Sequence, residues 1–436
     1  MSIGSAIGWT SLQHLVRLAT GLVTALALAR YLGSAQYGLY QSLVSWLLLF
    51  VALASGGLQS VVIQKLAVSP SPRTVLGTTL RLRLGWTSAS CLLCLGLPVL
   101  LGWSGVEMGG LALLAPVLLL QLADLPDYWF QSRTAPRPVT IARTIGSLTA
   151  LVGMGFGILN HQGVLFFCGA FLLEQSVGCG LLWWANHRSG LALRTWNFDW
   201  KMAQELAHAA WPMLLSTACL ILYTRIDLVM LKSLSTPEET GWFAASSRLS
   251  QLWAFIPMAL VNAIFPTLAR TRQSDKNLYR TQSQTLFSLL GGSGLGFALV
   301  LSLGSSWIAG FLFGQEFSGT GPMLGIQGWI TLCYFLRTGV DRWLVTEGLT
   351  RHDMAMHISS AAVNILLNLW WIPHYGGMGA ALASLVAMAA GVWLFPLLFS
   401  CTRPVARHAF LGIFAPIFLL QANKRKALFS LLRFHG

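Results

Sequence analysis

Long apolar runs alternate with short polar breaks along almost the whole chain. A bilayer-crossing helix needs about 20 apolar residues. On that measure the pattern predicts twelve spans, near residues 5–29, 40–63, 82–102, 110–131, 139–159, 163–185, 212–231, 242–266, 285–313, 322–346, 354–373 and 377–401. Hydrocarbon offers backbone groups no partner, so an all-α polytopic membrane protein follows. Two segments read as amphipathic helices lying at an interface. One is 197–211, capped by Asn197 or Asp199; the other is 423–434, where Lys424, Arg425 and Lys426 accompany Leu428, Phe429, Leu431 and Leu432. The run 409–420 is too short for a further span. The expected organisation is a six-helix bundle over 1–186, a cytoplasmic amphipathic linker over 187–211, a second six-helix bundle over 212–401 and a basic amphipathic tail over 402–436.

Composition supports this reading. Of 436 residues, 55% are hydrophobic and 10% are charged, whereas a soluble domain is about a quarter charged. A soluble enzyme is thereby excluded. No GxxxxGK[ST] loop occurs, so ATP hydrolysis is not expected, nor is a cofactor or a metal. The stretch Gly291 to Gly296 reads as a close-packing surface between helices. Seven cysteines lie in or beside apolar runs; Cys91 and Cys94 have CxxC spacing but no second pair, so they read as small buried residues. No cleavable signal is expected.

Lys and Arg number 28 against 14 Asp and Glu. The cations sit in short loops between apolar runs, which points to membrane topology and away from nucleic acid. Loops after odd-numbered spans hold only Arg30 and Lys232, whereas 21 cations are assigned to the loops after even-numbered spans and to the tail, with Arg81, Arg83 and Arg143, at or near span ends, counted among the loop cations. That asymmetry predicts a cell-membrane protein with both termini in the cytoplasm. The basic tail would contact anionic inner-leaflet lipid.

Charges inside spans are costly and usually face a cavity or a partner. Arg17 lies mid-span on a polar stripe of Thr10, His14, Arg17, Gly21 and Thr24. This stripe lines an aqueous cavity or else hides a structural pair, with Glu174 as the candidate partner. Arg337 and Asp341 stand four apart and could neutralise each other. Arg342 points elsewhere on the same helix. Arg248 and Gln251 share a face with Phe255 and Asn262. Asn364 and Asn368 either line the site or bind a neighbouring helix. Asp124 belongs to a polar patch with Asp127, Tyr128 and Gln131. Arginine suits phosphate or carboxylate, because its fork donates two charge-assisted hydrogen bonds. The candidate substrate-binding set is therefore His14, Arg17, Arg248, Gln251, Arg337, Arg342, Asn364 and Asn368; the candidate ion-coupling set is Asp124, Glu174 and Asp341.

Four stretches carry a family resemblance: Ala29 to Gly33 with Gln36 to Tyr40; Arg225 to Leu231; Phe255 to Ala259 with Phe265-Pro266; and Asn364 to Asn368, continuing through Ile372 to Gly376 and Gly379 to Ala381. Together they resemble the Wzx-type polysaccharide (O-antigen) flippases of the multidrug/oligosaccharidyl-lipid/polysaccharide (MOP) exporter superfamily. The resemblance implies two six-helix bundles around a central cavity that opens alternately to each side. It implies flipping of polyprenyl-pyrophosphate-linked oligosaccharide to the outer leaflet, with a proton or sodium gradient as the energy source. Polysaccharide polymerase machinery is an implied partner. A cationic cavity is also implied, with Arg17, Arg248 and Arg337 the matching positions.

The rival within that superfamily is a cation-coupled small-molecule or multidrug antiporter, which would need an acid-dominated cavity. A membrane-embedded glycosyltransferase or ligase would carry large hydrophilic loops, and none is present here, so the chain does not read as an enzyme.

Overall fold

The computed structural model describes residues 3–69, 71–189 and 196–414. Every regular element among them is helical, and no strand occurs among the described residues. In chain order the helices are α1 (Ile3–Ser55), α2 (Leu58–Val68), α3 (Pro72–Leu100), α4 (Val106–Leu114), α5 (Pro116–Leu120), α6 (Asp124–Ser132), α7 (Arg137–Leu159), α8 (Val164–Arg188), α9 (Trp200–Leu234), α10 (Pro237–Gln251), α11 (Phe255–Ser274), α12 (Lys276–Leu303), α13 (Ser305–Phe313), α14 (Thr320–Glu347), α15 (Thr350–Ala389), α16 (Phe395–Leu398) and α17 (Arg403–Ile413).

Nine candidate spans among the described residues are long and apolar enough to cross a membrane. Two of them, Leu12–Val68 with 57 residues and Thr350–Leu398 with 49, have length for two crossings each at about 20 residues per crossing. Both are broken by a glycine outside helical geometry: Gly33 at φ 74, ψ 174 in α1, and Gly376 at φ 53, ψ −133 in α15. Residues with a Cβ avoid such angles. α14, 28 residues long and carrying Arg337, Asp341 and Arg342, is not among the nine; the helix count roughly fits the expected dozen. The chain is a multi-pass membrane protein.

Contacts divide the chain into two compact units, Met1–Val229 and Met230–Gly436. In the first, Leu58, Val62 and Leu66 of α2 pack with Val75 and Leu76 of α3, Leu125 and Tyr128 of α6, and Leu206 and Ala210 of α9. In the second, Gly294 of α12 lies so close to Leu332 and Phe335 of α14 that a Cβ would crowd both, so the glycine-rich stretch does serve close packing. At one end of that unit Thr236 caps α10, accepting from the Glu239 N–H at 3.3 Å. The Glu239 carboxylate accepts from the Ser235 hydroxyl and, at 3.1 Å, from the Gly377 N–H. A Cβ on Gly376 would overlap that carboxylate. The turn between α9 and α10 is thus joined to the break in α15.

Three expectations change. Residues 197–211 do not form a separate surface helix. Asp199 caps α9, accepting from the N–H groups of Lys201 at 2.9 Å and Met202 at 3.3 Å, and the helix runs on through Pro212. Its Leu206 and Ala210 pack on α2, α3 and α6, while Trp200 and Trp211 stay exposed. Second, Arg81, Arg83 and Arg143 lie inside α3 and α7, not in loops. Third, 403–413 form α17, while the amphipathic stretch expected at 423–434 lies outside the described residues. The cysteines are all free; Cys94, Cys168, Cys179 and Cys333 are buried, Cys91 and Cys219 are half-buried, and Cys401 is exposed.

Candidate functional site

In the first unit the polar stripe on α1 is real. His14 and Arg17 are exposed, and Gly21 and Thr24 are half-buried. The Arg17 guanidinium makes no hydrogen bond or ion pair among the described residues, although its charge acts on the Glu174 carboxylate of α8. Glu174 accepts from the Ser147 hydroxyl at 3.4 Å and also feels Arg143. Arg143 of α7 pairs with Asp124 at 2.5 Å. The other Asp124 oxygen lies 3.8 Å from Arg83, whose side chain is fully buried. Arg83 donates to the Tyr128 hydroxyl at 3.2 Å and sits 5.6 Å from the ring centroid. Asp127 accepts from Gln131 at 2.9 Å. A relay of charged groups therefore runs Arg17, Glu174, Arg143, Asp124, Arg83, Tyr128. Arg83 and Arg143 were missed as site residues. The available signal was Asp124 itself, because an acid within a span needs a cation from a neighbouring helix.

In the second unit the expected Arg337–Asp341 pair forms and is larger than expected. Arg337 is only 5% exposed. Its Nε lies 2.6 Å from Asp341, its Nη2 donates to Asp353 at 2.7 Å, and its Nη1 donates to the Gly391 carbonyl at 2.9 Å. His357 stands 3.5 Å from Asp341 and 3.7 Å from Asp353. The ligand atoms of Asp341, Asp353 and His357 lie within 4.8 Å of one another, which gives this half-buried trio the capacity to hold a proton or a cation. Asp353 and His357 come from α15, one turn apart, and only the fold brings them to α14.

The other candidates stay apart from that group. Arg248 is half-buried, and its Nε is buried without a partner. Gln251, Phe255 and Asn262 are exposed, in line with one accessible face. Arg342 lies over the Phe265 ring at 5.7 Å and forms no ion pair among the described residues. Asn364 and Asn368 are fully buried. Asn368 donates to Asn364 at 3.2 Å, and Asn364 donates to the Ser384 hydroxyl at 3.2 Å. In this state they tie the two arms of α15 together.

Comparison with known proteins sets these groups in a family. Residues 3–272 match the model of a family described as polysaccharide biosynthesis protein. A curated relative, "Probable flippase AglR" of Haloferax volcanii, is 28% identical over 181 residues, covering 39% of this chain and 36% of the relative's length. Two solved structures share the fold. The "Lipid II flippase MurJ, inward closed conformation" superposes with TM-score 0.73 at 15% identity, covering 98% of this chain and 96% of the other. An inward-facing "multidrug resistance MATE family transporter of the MOP superfamily" gives TM-score 0.69 at 13% identity, covering 99% and 100%. The chain belongs to the polysaccharide biosynthesis protein family and has the many-span helical fold of MOP-superfamily transporters.

Proposed function

We propose that this protein is a flippase that carries a polyprenyl-pyrophosphate-linked oligosaccharide from the inner to the outer leaflet by alternating access. The observation that carries the reading is the set of unpaired arginines. Arg17 lies within the candidate span Leu12–Val68, Arg248 within Pro237–Ser274 and Arg342 within α14, and none stands within ion-pair distance of a carboxylate among the described residues, although the charge of Arg17 reaches Glu174. A charge within a span costs several kcal/mol unless something answers it. A pyrophosphate answers it well, because each guanidinium fork matches two phosphate oxygens. His14 lies one turn from Arg17 on α1 and Gln251 one turn from Arg248 on α10, and they would contact the head group and sugars. The family description and the name of the Haloferax volcanii relative support the same substrate class.

Arg337 plays a different part. It is held by two aspartates, so it becomes available to an anion only when Asp341, Asp353 or His357 takes up a proton or cation. That exchange would couple transport to a proton or sodium gradient. The loop cations support a cell-membrane location with cytoplasmic termini. A second reading, a cation-coupled antiporter of small molecules, draws on the same carboxylate pair and on the likeness to the MATE fold.

The test is leaflet-resolved mass spectrometry of lipid-linked glycans in a strain lacking the protein. Accumulation of an oligosaccharide-pyrophosphate lipid on the cytoplasmic side, reversed by the wild-type gene but not by Arg17→Ala, is expected. An unchanged lipid pool overturns the flippase and favours the antiporter.

A further inference from the structure

The last described helix, α17, is fixed on one face and open on the other. Val405, Ala406, Ala409 and Gly412 are buried. The approach to α12 is so close that a Cβ on Gly291 would overlap the Gly412 carbonyl, and one on Gly412 would overlap the Phe287 carbonyl. His408 holds the register. Its Nδ1 lies 2.6 Å from the Gln284 Oε1, Gln284 donates back to the His408 carbonyl at 3.4 Å, and the imidazole stacks on Phe287.

The open face carries Arg403, Arg407, Phe410 and Phe414, all exposed. Beside it runs a groove of about 520 Å³, lined by Trp393, Leu397, Arg403, Arg407, Phe410 and Ile413, with Ala406 at its floor. Arg403 and Arg407 stand four apart and therefore lie on one side of the helix. Arg403 donates through Nε to the Leu397 carbonyl at 3.1 Å, which leaves its two terminal nitrogens available. Arg407 has no hydrogen-bond or ion-pair partner among the described residues. Trp393, set into the lining by the π-helical turn Ala390–Leu394, has a buried Nε1 with no acceptor. Two cationic forks and an orphaned donor thus border an otherwise apolar wall, and no carboxylate lines it.

We infer that this groove binds an anionic phospholipid of the surrounding bilayer, with its phosphate between Arg403 and Arg407 and an acyl chain along Trp393, Leu397 and Phe410. Charge decides between the occupants. The chain's own residues 424–436 contain Lys424, Arg425, Lys426 and Arg433 and no acidic residue, so seating that segment here would place cations against cations, and the uncharged 415–423 offer the arginines no anion. An acidic head group satisfies both arginines, while its chain covers the apolar wall.

The experiment is native mass spectrometry of the full-length protein in nanodiscs containing phosphatidylglycerol and phosphatidylcholine, followed by stepwise delipidation. One phosphatidylglycerol retained after the bulk lipid is stripped is expected. R403Q/R407Q should lose it, with affinity reduced at least about tenfold given the attraction of each cation to an anionic lipid surface. R403K/R407K should retain most of it, and both variants should keep the wild-type melting temperature. K424Q/R425Q/K426Q should leave the retained lipid in place. Equal retention of phosphatidylcholine, displacement by millimolar inorganic phosphate, or a retained lipid that disappears only with the tail variant overturns the inference. So does a wild-type protein that holds no lipid, which is the result expected if residues 415–436 fill the groove. The readout is lipid occupancy, so it stands or falls separately from the flippase reading.

Discussion

The two units build their charged interiors with opposite signs in excess. In the first unit one carboxylate, Asp124, sits between two guanidinium groups, Arg83 and Arg143. In the second, one guanidinium, Arg337, sits between two carboxylates, Asp341 and Asp353, with His357 beside them. The arginine pair changes charge at no physiological pH, because a guanidinium does not deprotonate in proteins. Arg337 and its two carboxylates together carry one net negative charge with His357 neutral and none with it protonated. Asp124, taken from the sequence as an ion-coupling candidate, has an arginine on each side. Asp341 has Arg337 and His357 beside it.

The comparison makes graded predictions. Removing Arg337 should have the largest effect. Arg337→Ala leaves two carboxylates facing each other without a cation and should destabilise the protein by roughly 3–5 kcal/mol, the usual cost of orphaning a buried charge. Thermal unfolding in detergent measures it. A melting temperature near wild type would mean that the group is well solvated and the contrast fails. Replacing Arg337, Asp341 and Asp353 together by apolar residues of similar size should restore much of that stability while abolishing any dependence of transport on the gradient.

Asp124→Asn should cost less, about 1.5–3 kcal/mol, because the amide still accepts one charge-assisted bond from the arginines. A loss as large as that of Arg337→Ala would show that both clusters are equally dependent on exact charge balance. His357→Gln should alter stability by less than about 1 kcal/mol. It should flatten the pH dependence of glycan-lipid flipping in proteoliposomes, and an unchanged pH profile would remove the second unit's claim to the coupling ion.

The smallest expected effect lies outside the spans. Burial, with Arg407 and Arg280 nearby, pushes the His408 imidazole down to about 4. Its folded value is below its free value, so the docking of α17 is fully stable above about 6.5 and weakens as pH falls towards 4. Melting temperature followed from pH 7 to pH 4 should therefore decline, and the decline should be shallower in His408→Gln.

Much of the fold was legible because span length and apolar runs are direct consequences of bilayer thickness. The breaks at Gly33 and Gly376 fall inside two of the stretches that carry the family resemblance, and they separate the spans where the polar gap predicts. The site was legible only where both partners share one helix. Arg337 and Asp341 satisfy that condition at four residues apart. Asp353 and His357 arrive from another helix, and nothing in their spacing from Arg337 announces it. Arg83 was misread for a related reason. Hydropathy registers the charge of a residue but not the carboxylate that will meet it, so an arginine buried beside Asp124 and Tyr128 looked like a loop cation. Asn364 and Asn368 were read as lining the site or binding a neighbouring helix, and each finds a partner within α15 itself.

The contact of Glu239 with the Gly377 N–H has a mechanical meaning. A carboxylate bonded to a peptide amide and a hydroxyl has no counter-ion to lose. Added salt screens it little, because neither neutral donor carries a charge to shield. One end of the second unit is therefore pinned by a contact that needs no counter-ion. The glycine at 376 keeps that joint in place by leaving no room for any larger residue.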